Sequence, residues 1–134
     1  MDADEPLQTI GSDPVLARIT EVAPLAAAIC RSLREQVARL GFDTAEVHIG
    51  DALAAVYRLE PDPASGSESL IGEWRDRHGQ KVGNLVFHAD GSFFVEHDVV
   101  RTHPADPGQF VEAVNAWGRG QRILAEPRLL PMVS

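Results

Sequence analysis

Apolar residues recur at Val15, Ile19, Val22, Ala26, Ile29, Leu33, Val37 and Leu40, with gaps of three and four. That spacing lays one stripe along a helix. Asp13 and Pro14 supply an N-cap and a first-turn proline, and Gly41 supplies the stop. Pro24 falls inside the stripe and removes one backbone donor. The stripe stays in phase across it, so the pattern predicts one long helix kinked at Pro24 rather than two helices. Residues 45–60 carry no single period. Glu46-Val47-His48-Ile49 and Leu53 to Glu60 alternate as strands do, while the alanines near 54 suit a helix equally. Pro61 to Ser67 has the composition of a loop.

From Ser69 the period becomes two. Residues 69–77, 81–88 and 92–100 read as three strands joined at His78-Gly79 and at Ala89-Asp90-Gly91. The second junction suits a three-residue hairpin loop with Gly91 in a left-handed conformation. It sets Phe87 opposite Phe93, Leu85 opposite Val95 and Gly83 opposite His97. A two-residue Asp90-Gly91 turn would set Leu85 against Glu96 and mix polar with apolar residues on both faces, so the pattern selects the longer loop. His78-Gly79 as a two-residue turn sets Trp74 opposite Gly83, Gly72 opposite Leu85 and Leu70 opposite Phe87. One face then carries Leu70, Trp74, Leu85, Phe87, Phe93, Val95, His97 and Val99. The glycines leave room for the Trp74 ring or a covering helix. The other face is polar, except that Ile71, Val86 and Phe94 align across it.

Asp106-Pro107-Gly108-Gln109 has the form of a capping box. With Phe110, Val111, Val114 and Trp117 it predicts a second helix ending at Gly118. The expected fold class is α+β. A long N-terminal helix and a C-terminal helix pack on one face of a four- or five-stranded antiparallel meander. Residues 1–12 read as a disordered acidic lead, 13–118 as one domain, and 119–134 as a tail that is apolar at its end.

Composition narrows the chemistry. A chain of 134 residues fits one domain with one core. A formal charge of −8 disfavours nucleic acid and anionic membranes as partners. The longest apolar run, near Val22 to Cys30, is too short to span a bilayer, and the acidic start is the reverse of a signal peptide's. Cys30 is the lone cysteine, which rules out an internal disulfide and a cysteine-based zinc cluster. These features point to the cytoplasm, to no metal and to no cofactor. No phosphate loop, paired-histidine zinc motif, nucleophile elbow or calcium loop is present.

Three histidines fall between 88 and 103, but the register separates them. His88 and Glu96 share a face about 13 Å apart along the ladder, at ~3.3 Å per residue. His97 points to the opposite face, and His103 lies past the strand. His97, on the core face, reads first as a buried histidine bonded to backbone and second as a pH sensor or base. Glu73, Asn84 and Glu96 align on the outer face and read as solvated strand residues before acid–base partners. Asp98, Arg101 and His103 flank a loop where a small anion could bind. Cys30 reads as a small core residue.

Lys81 to Ser92 (KVGNLVFHADGS) and Phe110 to Gly118 (FVEAVNAWG) together resemble a family of small uncharacterised proteins from pseudomonads and related bacteria. The likeness covers the last half of the chain and implies no activity, cofactor or site residue.

Sequence alone does not establish a function. The leading expectation is a non-catalytic, homodimeric protein–protein interaction module, with Ile71, Val86, Phe94, Leu129, Leu130 and Met132 as its surface. The alternative is a small-molecule or anion-binding protein, an enzyme included, that uses His97 or the Asp98, Arg101 and His103 region.

Overall fold

A computed structural model describes residues 12–132. Helix α1 (Ser12–Leu40) leads into an irregular segment and a short 3-10 turn (Ala52–Ala54). Six strands follow: β1 (Val56–Pro61), β2 (Glu68–Arg75), β3 (Lys81–Phe87), β4 (Ser92–Thr102), β5 (Gln109–Arg119) and β6 (Arg122–Pro131). They form one antiparallel sheet in the order β1-β2-β3-β4-β5-β6. The fold is α+β as expected; among the described residues it has six strands rather than four or five and no C-terminal helix. The acidic lead lies outside the described residues apart from Ser12, where the helix begins one residue ahead of the expected cap.

Helix α1 runs through Pro24 without a break. The stripe read from the sequence is its buried face: Ala26, Ile29, Leu33 and Val37 are almost wholly enclosed, and Cys30 joins them. Burial pushes the Cys30 thiol pKa up, as expected for a core cysteine rather than a reactive one. The stripe meets Leu70, Leu85, Phe87, Phe93, Val95, Val111, Val114 and Ala116 on one face of the sheet. A helix stripe and one sheet face thus bury each other, which is the simplest two-layer solution.

The central register agrees with the sequence pattern. Phe87 pairs with Phe93, Leu85 with Val95 and Gly83 with His97, and Trp74 pairs with Gly83. Gly91 has φ +90°, and its N–H donates to the His88 carbonyl. The earlier hairpin differs in detail. Asp76 N–H bonds Gln80 O, and the Asp76 carboxylate accepts the His78 and Gln80 amides. The loop therefore has three residues, not two. A bulge beside Arg75 takes up the extra residue, so Trp74 still faces Gly83. Arg75 consequently stands beside Lys81 and pairs with Glu73 at 2.8 Å.

The expected second helix is β5. Asp106-Pro107-Gly108-Gln109 closes a turn instead: Gln109 N–H donates to Asp106 O, and the Asp106 carboxylate accepts the Gly108 amide. Pro and a side-chain acceptor serve a turn as well as a helix start. The helical spacing came from a bulge. The register between β5 and its neighbours shifts around Glu112. Val111, Val114 and Ala116 all reach the core, although 111 and 114 differ by three. A strand with one extra residue imitates a helix over that stretch. Gly118 is then a strand residue; a Cβ there would fall 1.8 Å from the Arg122 carbonyl oxygen. The segment beyond it, read as a tail, is mostly β6.

Candidate functional site

Two surfaces concentrate the sequence-selected residues. The first is a cleft of about 700 Å³ at one end of the sheet. It is bounded by the loop from Glu46 to Asp51, the Arg75–Val82 hairpin and the β4 segment from His97 to Arg101. His97, Asp98 and Arg101 come together there. His103 does not; it lies in the turn before β5, where its Nδ1 accepts the Ala105 and Asp106 amides at 3.1 and 3.2 Å.

His97 is buried and fully bonded. Gly50 N–H donates to Nε2 at 3.3 Å, so Nδ1 carries the proton and donates to the Asp98 carbonyl at 2.9 Å. Burial lowers its pKa; the Asp98 carbonyl and carboxylate oppose that shift, and His48 adds to it. Its ring stacks at a tilt on Trp74, with centroids 5.0 Å apart. Trp74 Nε1 in turn donates to Asp51 O at 2.7 Å. Both rings therefore pin the 46–51 loop to the sheet, and neither nitrogen of His97 is left for a substrate proton. The room for this pair comes from glycine: a Cβ on Gly83 would approach the Trp74 ring at 2.8 Å, and one on Gly50 would do the same.

One backbone feature marks the rim of the cleft. The register of β4 against β5 slips between Asp98 and Arg101, and Val100 within that bulge has φ +52°. A β-branched residue is a genuine outlier there.

A serine, a histidine and an aspartate also meet at the other end of the sheet. Ser69 Oγ lies 2.9 Å from His88 Nδ1, and Asp62 Oδ2 lies 3.9 Å from the same nitrogen. A nucleophile relay needs serine and acid on opposite ring nitrogens. Here both share one, and Ser69 is buried. The trio ties the 62–67 loop to β2 and β3. The pairing of Ser69 with His88 follows from the Leu70–Phe87 register, but the sequence gives no sign of Asp62.

The second surface is the sheet face turned away from α1. Its middle row runs Ile71, Val86, Phe94, Trp117, Leu124, each paired with the next across β2 to β6. Phe94 and Leu124 are exposed and the other three half-buried. Sequence reasoning found the first three. It misses Trp117 and Leu124, because the spacing over 110–118 imitates a helix and the segment from 119 reads as a tail. On one side runs Glu73, Asn84, Glu96, Asn115, Glu126. On the other runs Ser69, His88, Ser92, Arg119, Arg122. Glu73 is surrounded by Arg58, Arg75 and Lys81, and Glu96 is held by Arg128 at 2.6 Å. Such partly exposed pairs are solvated ion pairs rather than an acid–base couple. Leu129, Leu130 and Met132 are also exposed, but at the far end of β6, away from this row.

Among the described residues no group of three or more His, Cys, Asp or Glu is placed to hold a metal, and no helix is long and apolar enough to cross a membrane. No protein-family model, curated protein or solved structure matches the chain.

Proposed function

We propose that the protein is a non-catalytic interaction module that self-associates through the outer sheet face. The observation that carries this reading is the apolar row across five strands, Ile71 to Leu124. Five aligned apolar side chains on a face that none of the described residues covers with a second layer are more than the scattered single residues normal on a monomer. The buried imidazole and the serine–histidine–aspartate trio are both committed to holding loops, which supports a module without catalysis. The patch is modest. Five strands at ~4.8 Å and three rows ~7 Å apart give roughly 20 by 20 Å, on the order of 400 Å² in projection. That is below the ~800 Å² per partner of a standard interface, so a reversible, micromolar dimer is expected. Sedimentation equilibrium tests it. The wild type should dimerise in the micromolar range and Phe94→Glu should not; a wild type that stays monomeric throughout removes the proposal.

A second reading rests on the cleft beside Val100. Bulges and strained residues cluster at ligand sites, and Asp98 and Arg101 line this one. A thermal-shift screen of small anions and metabolites, repeated on Arg101→Ala, tests it. A ligand that stabilises the wild type and not the variant supports the cleft; no stabilising ligand counts against it.

A further inference from the structure

We infer that the partner is a second copy of this chain, docked face to face with the two-fold axis running along the Ile71–Leu124 row. This rests on the self-association reading above and goes further by fixing which residues meet.

A sheet face can be stacked on its own copy by a two-fold axis lying in the interface plane. Two limiting directions are open: along the strands, or across them along the apolar row. Both put apolar side chains on apolar side chains. They differ in what happens to the flanking rows. An axis along β4 leaves each flanking row facing itself in reverse order. Glu73 then meets the second copy's Glu126, and Glu96 meets the second copy's Glu96. Glu126 and Arg122 would then face Glu73 and Ser69, and neither would gain a partner of opposite charge.

An axis along the row exchanges the two flanking rows. In β6 the outward residues are Arg122, Leu124 and Glu126, at a period of two. Turning the strand over about Leu124 lays Glu126 on the second copy's Arg122. In β5 the same operation about Trp117 lays Asn115 on Arg119, and in β4 the turn about Phe94 lays Glu96 on Ser92. The acidic row thus lands on the row that holds both arginines. Among the described residues neither Glu126 nor Arg122 is engaged in an ion pair, and both are exposed. Glu73 and Glu96, which meet uncharged residues in this arrangement, are the two acids already neutralised within the chain. The Glu126–Arg122 couple therefore selects the axis along the row; Arg58, which continues that row in β1 and meets its own copy there, is held by Glu60 and Glu73 within the chain.

The experiment reads the dissociation constant of charge-reversal variants by sedimentation, with Val86→Cys cross-linking under mild oxidation as an independent readout. Native Cys30 is buried and does not compete. With the axis along the row, Val86 lies on its own copy, so Val86→Cys gives a disulfide-linked dimer. Glu126→Arg alone weakens association roughly tenfold, since each of two symmetry-related pairs turns repulsive. The double variant Glu126→Arg with Arg122→Glu restores it to near the wild-type value. Dimerisation that is strengthened by Glu126→Arg, with no Val86→Cys cross-link, overturns this axis while leaving self-association standing. A wild type that stays monomeric at high micromolar concentration overturns both.

Discussion

The Gly50 amide donates to His97 Nε2 across a gap of 47 residues in sequence, at 3.3 Å. That contact, with Nδ1 bound to the Asp98 carbonyl, makes the imidazole a clamp between the 46–51 loop and β4, and it is formed only by the neutral ring.

Acidification should therefore weaken the fold. The folded-state pKa of His97 lies below its ordinary value because burial disfavours the cation. Its contribution is complete above about pH 6.5, the unfolded value. It is lost as pH falls from there toward the depressed folded pKa, with a slope of at most ~1.4 kcal/mol per pH unit. Urea denaturation of the wild type and His97→Gln at pH 7.5 and 5.5 checks this. The wild type should lose more stability than the variant over that interval. Equal losses would mean that His97 does not carry the pH dependence.

Gly118→Ala should be severely destabilising, by about 3 kcal/mol or more, in line with large steric and backbone effects. The added methyl would sit 1.8 Å from a carbonyl oxygen of β6, and backbone cannot step aside without parting the two strands. Gly83→Ala should cost about 1–3 kcal/mol as overpacking, because its methyl meets the Trp74 ring at 2.8 Å and the Glu96 carbonyl at 2.6 Å. Thermal unfolding of both variants measures the order. Had residues 106–118 been helical, with Gly118 only its stop, alanine at 118 would be tolerated far better.

Val100→Gly should stabilise the protein despite removing a side chain. The valine is exposed and has φ +52°, a conformation that costs an L-residue about 1–2 kcal/mol. Glycine adopts it freely, although the more flexible unfolded chain offsets part of the gain. A rise in melting temperature of a few degrees is expected; a fall would show that the valine side chain holds the bulge.

Pro24→Ala should also stabilise, by about 1–3 kcal/mol. Proline in a helix interior removes a backbone bond and costs ~3 kcal/mol, and Pro24 is exposed on a helix that continues on both sides. A loss of stability would mean that the packing of the helix depends on a bend at this position.

The central strands were legible because hydrophobic alternation and the Gly91 turn agree on one register. A single-residue slip would have put Glu96 opposite Leu85. The long helix was legible for a similar reason: its stripe repeats over eight positions. The C-terminal half was not, because a bulge at Glu112 adds one residue and shifts a strand's period toward a helix's. That misreading also hid Trp117 and Leu124, which complete the outer row. Residues 45–60 could not be assigned to a strand or a helix; Val56 to Glu60 belong to β1, and the residues before them set the difficulty. They form turns and a 3-10 turn held by distant partners such as Trp74 and His97, and no local period encodes those contacts. The clamp role of His97 was half legible: its face followed from register, its partner Gly50 did not.

The sheet order has a consequence for how the chain is made. Every strand lies beside its neighbour in sequence, so each hairpin can close as soon as it emerges from the ribosome. Helix α1 is the exception. Helix α1 buries its stripe partly against Val111, Val114 and Ala116 of β5, which are translated about 75–90 residues later, at a typical ~5–20 residues per second. For those seconds an apolar helix has no complete surface to lie on. The nascent chain is most exposed to aggregation and to chaperones between the synthesis of α1 and that of β5.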